Sequence, residues 1–399
     1  MIRRIDAVRL VVLLAVMLAA PARDVRGDDW PARGREVVAK VREYFYDLAR
    51  AEAWAEKHAG YADEARDGDA FAAATRRALA ELQASHTAYF TTDDPEYYGL
   101  ASIFHGMAGM PPAEVESIGV DVAPGGFVRR VFAGSPAEAA GLRRGDEIVS
   151  ADGRPFQPVA SLRGRDGREV ALEVRSRAGE EPRRVVVFPR RIDPGREWLD
   201  DQEMGARVVD RGGRRVALMR LFSAAGEAHQ EAVRDAVAAK FADADALVLD
   251  LRGGWGGASP GFVSIFDRAP PVLEQVRRDG ARAKYDPQWR KPLVLLVDGG
   301  SKSGKEVVAF AVRKHRLGAI VGENTGGAVL AGRGFPMGGG LLYLAVSDVL
   351  VDGERLEGRG VHPDVEASDR LPYAEGADPQ LDAALDAAAS PPPGPRPQP

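Results

Sequence analysis

The stretch that decides the fold of the C-terminal half of the chain is VDGGSKSGKEVVAF, Val297 to Phe310. It continues an apolar run, PLVLLV, that is typical of a strand buried on both faces, and the run stops at Gly299 and Gly300 before a helical pattern begins. A serine at a bend between strand and helix can project its hydroxyl beside the free amides of the helix N-terminus. Ser303 is therefore a candidate nucleophile. It also fits a helix N-cap three residues before Glu306, and the local residues leave both roles open.

The alternation of strand and helix extends on both sides of this stretch. Strand-like runs VALMRLF, ALVLDL, AIVG and LLYLAV are separated by helical segments. This alternation is typical of an α/β domain with parallel strands. We assign residues 205–375 to it.

Two regions of different texture precede the α/β domain. Residues 101–192 hold short Val-rich runs between Gly, Pro and Asp turns, which predict a compact β domain. Residues 29–100 predict a helical N-terminal region. The apolar residues at helical spacing there are Val37, Val38, Val41, Phe45 and Leu48, then Phe71, Ala74, Ala78, Leu79 and Leu82. The overall prediction is a multidomain α/β (α+β) protein.

The two ends of the chain differ from the rest. Residues 1–22 combine a basic start, an apolar run from Leu10 to Ala20 and Ala20-Pro21-Ala22, the pattern of a cleaved signal peptide. This predicts an exported protein, periplasmic or extracellular. An uncleaved, membrane-associated anchor is the alternative, but eleven apolar residues are short for a bilayer span. Residues 388–399, AASPPPGPRPQP, predict a Pro-rich disordered tail.

Composition excludes several classes of function. Lys plus Arg is 54 and Asp plus Glu is 59, so the net charge of −5 argues against nucleic acid as a main partner. The absence of cysteine excludes disulfides and a thiol nucleophile. The six histidines are scattered, and no metal-binding spacing or phosphate-binding glycine loop occurs. We therefore expect no metal and no cofactor, and covalent catalysis would use oxygen or nitrogen.

The segment AGSPAEAAGLRRGDEIVSADGRPF, Ala133 to Phe156, resembles a PDZ domain. PDZ domains bind an extended peptide along a sheet edge and capture its C-terminal carboxylate with backbone amides. The resemblance places the carboxylate-binding loop at Ile118, Gly119 and Val120, directly after Ser117. Another small β domain with a Gly-Asp turn is the alternative.

Four later motifs resemble the carboxyl-terminal processing and tricorn-like serine peptidases. In order they are LVLDLRGGWGG, GGSKSGKEVVAFAV, AIVGENTGG and DGERLEGRGVHPDVEA. The resemblance implies a core of the tail-specific protease (ClpP/crotonase-like) type with Ser303 as nucleophile. It also implies an oxyanion hole formed by the amide of Gly304 and by one from the glycine loop. For the second donor we favour Gly256 over Gly254 or Gly257, although all three glycines could serve only a tight turn.

The general base separates two branches of this family. Relatives of the Ser-Lys type carry a lysine in GExTFGKG, where this chain has Ala328. Lys302 and Lys305 flank the serine but are expected on a solvated face. A lysine base is therefore disfavoured.

The tricorn-like branch takes its base from an upstream SHxY run, which matches LQASHTAYF here. The resemblance implies His86 as the base, oriented by Glu357 on its other nitrogen, with Ser85 adding a hydrogen bond nearby. His362 is the rival base. Glu357 stays open, because LEG also occurs at this turn in lysine-type relatives.

Together these motifs predict an exported serine endopeptidase. Its partners would be unfolded or C-terminally exposed polypeptides, presented by the PDZ domain. Two alternatives keep the fold without the chemistry. One is a protein that binds a peptide or a hydrophobic ligand, and the other is a PDZ scaffold whose core is only structural.

Overall fold

A computed structural model describes residues 29–267, 269–286 and 288–390. The predicted signal peptide and residues 391–399 of the predicted tail lie outside these ranges. The helices are α1 (Trp30–Tyr44), α2 (Leu48–Lys57), α3 (Gly68–Ala80), α4 (Pro95–Ile103), α5 (Pro136–Ala139), α6 (Pro194–Gly205), α7 (Glu227–Asp235), α8 (Gly304–Lys314) and α9 (Pro379–Ala389). A π-helical turn, Ala236–Lys240, follows α7, and a 3-10 helix spans Pro260–Phe266.

The strands fall into an N-terminal, a PDZ-like and a core group. The first two groups are β1 (Ala88–Thr91), then β2 (Val115–Ser117), β3 (Val120–Ala123), β4 (Phe127–Val131), β5 (Glu147–Ala151), β6 (Arg154–Pro155), β7 (Val170–Arg175), β8 (Arg183–Val187) and β9 (Arg190–Ile192). The core group is β10 (Arg207–Arg211), β11 (Arg214–Arg220), β12 (Ala246–Asp250), β13 (Leu273–Val276), β14 (Arg282–Tyr285), β15 (Leu293–Val297), β16 (Ala319–Gly322), β17 (Ala331–Met337), β18 (Gly340–Ser347), β19 (Leu350–Val351), β20 (Glu354–Arg355) and β21 (Val365–Glu366).

The N-terminal region is helical but also contributes a strand. Asp29, Asp47 and Asp67 cap α1, α2 and α3 by accepting from backbone amides of the first turn. Strand β1 pairs antiparallel with β18, with Tyr89 opposite Leu342, in the sheet β1-β18-β17. The helices and this sheet share one apolar core, so the region is joined to the second half of the chain.

The second region is an antiparallel sheet of order β3-β4-β5-β7-β8, with β6 beside β5. Its core contains Ile118, Val128 and Ile148. Strand β3 lies at an edge of this sheet. Such an edge can accept an added peptide strand.

The third region is a six-stranded sheet of order β10-β11-β12-β15-β16-β21. Strands β11 to β21 run parallel and β10 is antiparallel to β11. Helices α7 and α8 cover one face and α9 covers the other. Because the strands are parallel, the loops after β12, β15 and β16 leave from the same edge.

Helix α9 corrects two predicted boundaries. The core was predicted to end at residue 375 and the tail to begin at 388, but α9 continues to Ala389 and buries Ala388. The helix forms because its alanines and leucines cover the face of the sheet that contains Val248 and Leu296. Within the described ranges, no helix combines the length and hydropathy needed to span a membrane.

Backbone and side-chain contacts hold the PDZ-like region on the core. Arg130 of β4 donates to the carbonyl of Arg252 at 3.2 Å. The amides of Tyr373 and Gly376 donate to the carbonyls of Gly145 and Arg144, each at 2.9 Å. The segment before α9 therefore lies against the turn that precedes β5.

Candidate active site

Three loops at the carboxyl edge of the core sheet converge on one place. The hydroxyl of Ser301 donates to the carbonyl of Leu251 at 2.9 Å, and the amide of Gly253 donates to Asp298 at 2.9 Å. The amide of Gly326 donates to the carbonyl of Ser301 at 3.0 Å. Ser301 is fully buried, and its hydroxyl and carbonyl connect its own loop to the loops after β12 and β16.

Ser303 occupies a strained turn at the start of α8. Its φ of +56° and ψ of −126° lie outside the regions that L residues prefer. Its backbone amide donates to the carbonyl of Ala328 at 2.8 Å and to the carboxylate of Glu306 at 3.1 Å. The amide of Glu306 donates to the backbone carbonyl of Ser303 at 2.8 Å. Ser303 therefore holds the N-cap position of α8 and also lines the cavity of the site.

Glu306 locks this turn, a role that the sequence analysis did not assign. The buried carboxylate also accepts from the hydroxyl of Thr325 at 2.6 Å and from the amides of Gly327 and Ala328 at 2.8 Å. Burial raises its pKa, while these donors oppose the rise. The available signal was an acidic residue inside an otherwise apolar helical stretch.

His86, Ser85 and Glu357 form a chain of hydrogen bonds. Nδ1 of His86 lies 2.9 Å from the hydroxyl of Ser85, which donates to Glu357 at 2.9 Å. Glu357 thus reaches the imidazole through Ser85, whereas direct contact was expected. Ser85 has one hydroxyl proton, which it donates in the hydrogen bond to the Glu357 carboxylate. The hydroxyl oxygen therefore accepts a hydrogen bond from Nδ1–H of His86. This tautomer leaves Nε2 of His86 free to accept a proton.

The surroundings keep His86 neutral. The pKa of His86 is lowered to about 4, chiefly by burial; the charge of Glu357 opposes this shift, and the charge of Lys302 adds to it. The ring packs against Tyr343 with 5.5 Å between centroids. Near neutral pH the imidazole is therefore an unprotonated base.

Strand pairing brings His86 to the core. His86 directly precedes β1, and β1 pairs with β18 of the second half of the chain. This pairing brings His86 to the core although more than two hundred residues separate it from Ser303 in the sequence. His86 and Ser303 line the same cavity of about 1100 Å³. No hydrogen bond joins these two side chains in the described structure, and contacts of this kind often tighten only with substrate.

The glycine loop after β12 approaches the nucleophile. A Cβ added to Gly256 would lie 2.5 Å from Cβ of Ser303 and 3.0 Å from the amide nitrogen of Gly304. Neither the Gly256 nor the Gly304 amide has an acceptor among the described residues. Two unpaired amides beside a serine hydroxyl can hold an oxyanion.

Two protein-family models match parts of this chain. Residues 215–367 match peptidase family S41, and residues 127–176 match the PDZ domain. The chain carries an S41 peptidase domain. The predicted family and fold class, a PDZ domain joined to a peptidase core among mixed helices and sheets, are thereby confirmed.

Individual relatives have names of two kinds. A carboxyl-terminal-processing protease of Synechocystis sp. is 29% identical over 276 residues, 64% of this chain and 63% of the relative. Tricorn protease homolog 1 of Streptomyces coelicolor is 30% identical over 274 residues, 63% of this chain and 25% of the relative. A crystal structure of the tricorn protease superposes with a TM-score of 0.52 and 17% identity, covering 89% of this chain and 36% of that one.

This chain spans only part of its relatives. It covers 63%, 48% and 54% of three carboxyl-terminal-processing proteases, from Synechocystis sp., Picosynechococcus sp. and Bacillus subtilis.

The alternative bases, His362, Lys302 and Lys305, differ in where they lie. His362 is exposed and is not among the residues that line the cavity. Lys302 is exposed at the cavity, as expected of a solvated lysine. The same expectation is wrong for Lys305, which is 1% exposed because its ammonium donates to two backbone carbonyls.

A groove beside the edge strand β3, here called the PDZ groove, opens into the same cavity. Val120 and Val122 of β3 form one wall, and Pro158, Val159 and Leu162 also line it. This continuity gives an extended chain a route from the edge strand towards Ser303.

The predicted carboxylate-binding loop differs from the expectation. The amide of Gly119 donates to the hydroxyl of Ser117 at 2.8 Å, so it is not open to a ligand. Ile118 is buried in the domain core, while Val120 lines the groove. The carboxylate of Glu197 lies 3.4 Å from the Ser117 hydroxyl, and burial raises its pKa to about 7. A second carboxylate would therefore meet an acidic group at this end of the groove.

Proposed function

We propose that this protein is a serine endopeptidase of the carboxyl-terminal processing type. The observation that carries the proposal is the single cavity that brings together a strained serine, a neutral histidine with a free Nε2 and two unpaired amides. Ser303 would attack the scissile carbonyl while His86 takes its proton. Gly304 and Gly256 would hold the oxyanion.

The same groups would complete the reaction. His86 returns the proton to the leaving amine, and the C–N bond breaks to leave an acyl group on Ser303. A water molecule, deprotonated by His86, then hydrolyses this ester and restores the serine. Glu357 would stabilise the imidazolium through the Ser85 hydroxyl, because each hydrogen bond in that chain strengthens as the ring gains charge.

The PDZ groove would select the substrate. Its free edge strand and its continuity with the cavity support an extended, unfolded polypeptide as the ligand. Because Glu197 lies beside the Ser117 hydroxyl and Gly119 is engaged, backbone pairing with β3 would contribute more than capture of a terminal carboxylate.

Degradation of casein by the purified chain tests the catalytic proposal. We expect Ser303→Ala and His86→Ala each to lower the rate by about 10²-fold or more, because nucleophile and base act together. A fluorophosphonate probe should label the parent and not Ser303→Ala.

Ala328→Lys supplies the contrasting outcome. If the parent neither cleaves casein nor reacts with the probe, and only Ala328→Lys is active, the Ser-His assignment is wrong. The protein would then be a binding member of the family that has lost its lysine.

We also propose that the chain is exported. The support is the basic start, the apolar run and the Ala20-Pro21-Ala22 pattern of residues 1–22. Expression of the full chain in a bacterium should yield a periplasmic or secreted protein that begins at Arg23. Recovery of a chain beginning at Met1 in the membrane fraction would contradict cleavage and indicate an anchor.

A further inference from the structure

Lys305 is a buried cation directly behind the glycine loop of the S41 domain. It is the second residue of α8, and its Nζ donates to the carbonyl of Phe222 at 2.9 Å and to that of Gly253 at 2.8 Å. The peptidase motif that GGSKSGKE resembles, GSASASE, carries a serine at this position. Lys305 is therefore a departure from that pattern at a place where it contacts the loop.

Burying this ammonium group is costly. Burial, followed by the charge of Arg130, lowers its pKa to about 7, while Asp298 and Asp250 favour the charged form. An interior position of this kind is tolerated only when hydrogen bonds compensate the lost hydration. The two carbonyls provide that compensation, so the lysine and the loop depend on each other.

Both carbonyls belong to segments that position Gly256. The carbonyl of Phe222 also accepts from the amide of Trp255 at 2.8 Å. Ala224, two residues after Phe222, donates its amide to the carbonyl of Gly256 at 3.1 Å. Fixing Phe222 and Gly253 thus fixes the peptide planes on both sides of the Gly256 amide.

We propose that Lys305 is a positioning residue for the oxyanion hole. Its ammonium group ties the carbonyls of Phe222 and Gly253 and so holds the Gly256 amide towards the oxyanion, without touching the substrate. The inference rests on the peptidase function proposed above.

Removal and chemical rescue of the ammonium group test this role. We expect Lys305→Ala to lower kcat on casein by about 10²-fold, the size of the loss of one oxyanion donor, with KM changed less than about twofold. Added n-propylammonium, which matches the three carbons and the nitrogen that the substitution removes, should enter the space left by the side chain and restore about tenfold of the lost kcat. A kcat within twofold of the parent, or no response to the amine, would overturn the proposal.

A matched variant separates positioning from stability. Val308→Ala removes a buried side chain of the same helix that packs in the core. It should lower stability, leave the kcat of the folded protein within about twofold of the parent, and show no response to n-propylammonium. Amine-dependent recovery in this variant would count against a specific site.

A readout without turnover distinguishes this proposal from the peptidase assignment. Lys305→Met keeps most of the side-chain volume and lacks the donor. Its Trp255 and Ala224 amides, which donate to the carbonyls of Phe222 and Gly256, should exchange with deuterium at least about tenfold faster than in the parent, while the α8 amides should be unchanged. Unchanged loop exchange would overturn the positioning role even if the parent proves active, and faster exchange would support it even if the parent proves inactive.

Discussion

At the scale of single residues, the hydroxyl of Ser85 decides which nitrogen of His86 can act as a base. Ser85→Ala leaves Nδ1 without its acceptor and Glu357 without one donor, so the imidazole loses its preferred tautomer and orientation. We expect kcat on casein to fall by about 10- to 100-fold, at the lower end of a general-base effect. Ser85→Thr, which keeps the hydroxyl, should recover most of the activity. Equal rates for the alanine variant and the parent would remove Ser85 from the mechanism.

The buried imidazole of His86 also sets a pH dependence. Because its pKa is lowered to about 4, His86 remains neutral at pH 5 to 6, where an exposed histidine would already be protonated. The value of kcat/KM should therefore stay level from pH 7 to about 5 and fall only as the pH approaches 4. The profile is measured over pH 4 to 8, with folding checked by circular dichroism. An acid limb centred near 6.5 would show that His86 is solvated.

Single residues differ in how far the sequence alone predicts them. Ser303 and His86 could be proposed as nucleophile and base because each lies in a specific motif, and the structure places both at one cavity. The burial of Lys305 could not be predicted, because the helical spacing that exposes Lys302 does not tell whether another loop covers the next turn. The contact of Ser85 between His86 and Glu357 was equally hidden, since it depends on three separate segments meeting at hydrogen-bond distance.

At the scale of elements, α9 completes the core. It covers the face of the sheet opposite α8, with Leu385 packed against strand residues such as Leu296. Leu385→Ala should lower the free energy of unfolding by about 2–4 kcal/mol, because a buried leucine leaves a cavity. Asp382→Ala, an exposed position of the same helix, should change it by about 0.5 kcal/mol or less. Urea unfolding measures both, and equal losses would show that α9 does not seal the sheet.

Strands of the core were predictable from composition, and their partners were not. ALVLDL and PLVLLV are apolar throughout, which is the signature of parallel strands covered on both faces. Strand β1 is only four residues long, and nothing local indicates a partner that lies about 250 residues away. The proline run drew the predicted start of the tail to residue 388, although the alanines and leucines just before it are strong helix formers and belong to α9.

At the scale of the whole molecule, the turn at Gly145 joins the PDZ domain to the core. Gly145 has a φ of +88°, and a Cβ there would lie 2.2 Å from the amide nitrogen of Ala374. Gly145→Ala should therefore push the two domains apart. The overpacking should lower the free energy of unfolding by about 1–3 kcal/mol, in addition to the effect of the backbone strain. Gly141→Ala is the control, because φ is +73° and no atom lies within 4 Å of its added Cβ.

Calorimetry distinguishes the two glycine variants. Gly141→Ala should unfold in one transition, shifted down by the strain of a left-handed conformation, about 1–2 kcal/mol. Gly145→Ala should show a larger shift and a separate PDZ transition. Identical thermograms for the two variants would mean that the contact with Ala374 does not couple the domains.

The pairing of β1 with β18 has a consequence for biosynthesis. A ribosome that has delivered residue 303 has already made both the histidine and the serine, but the strand that seats the histidine, residues 340–347, has not yet emerged. We therefore expect the growing chain to be catalytically silent until that hairpin is complete, so that the peptidase activity proposed above appears only after most of the chain that carries it has been made.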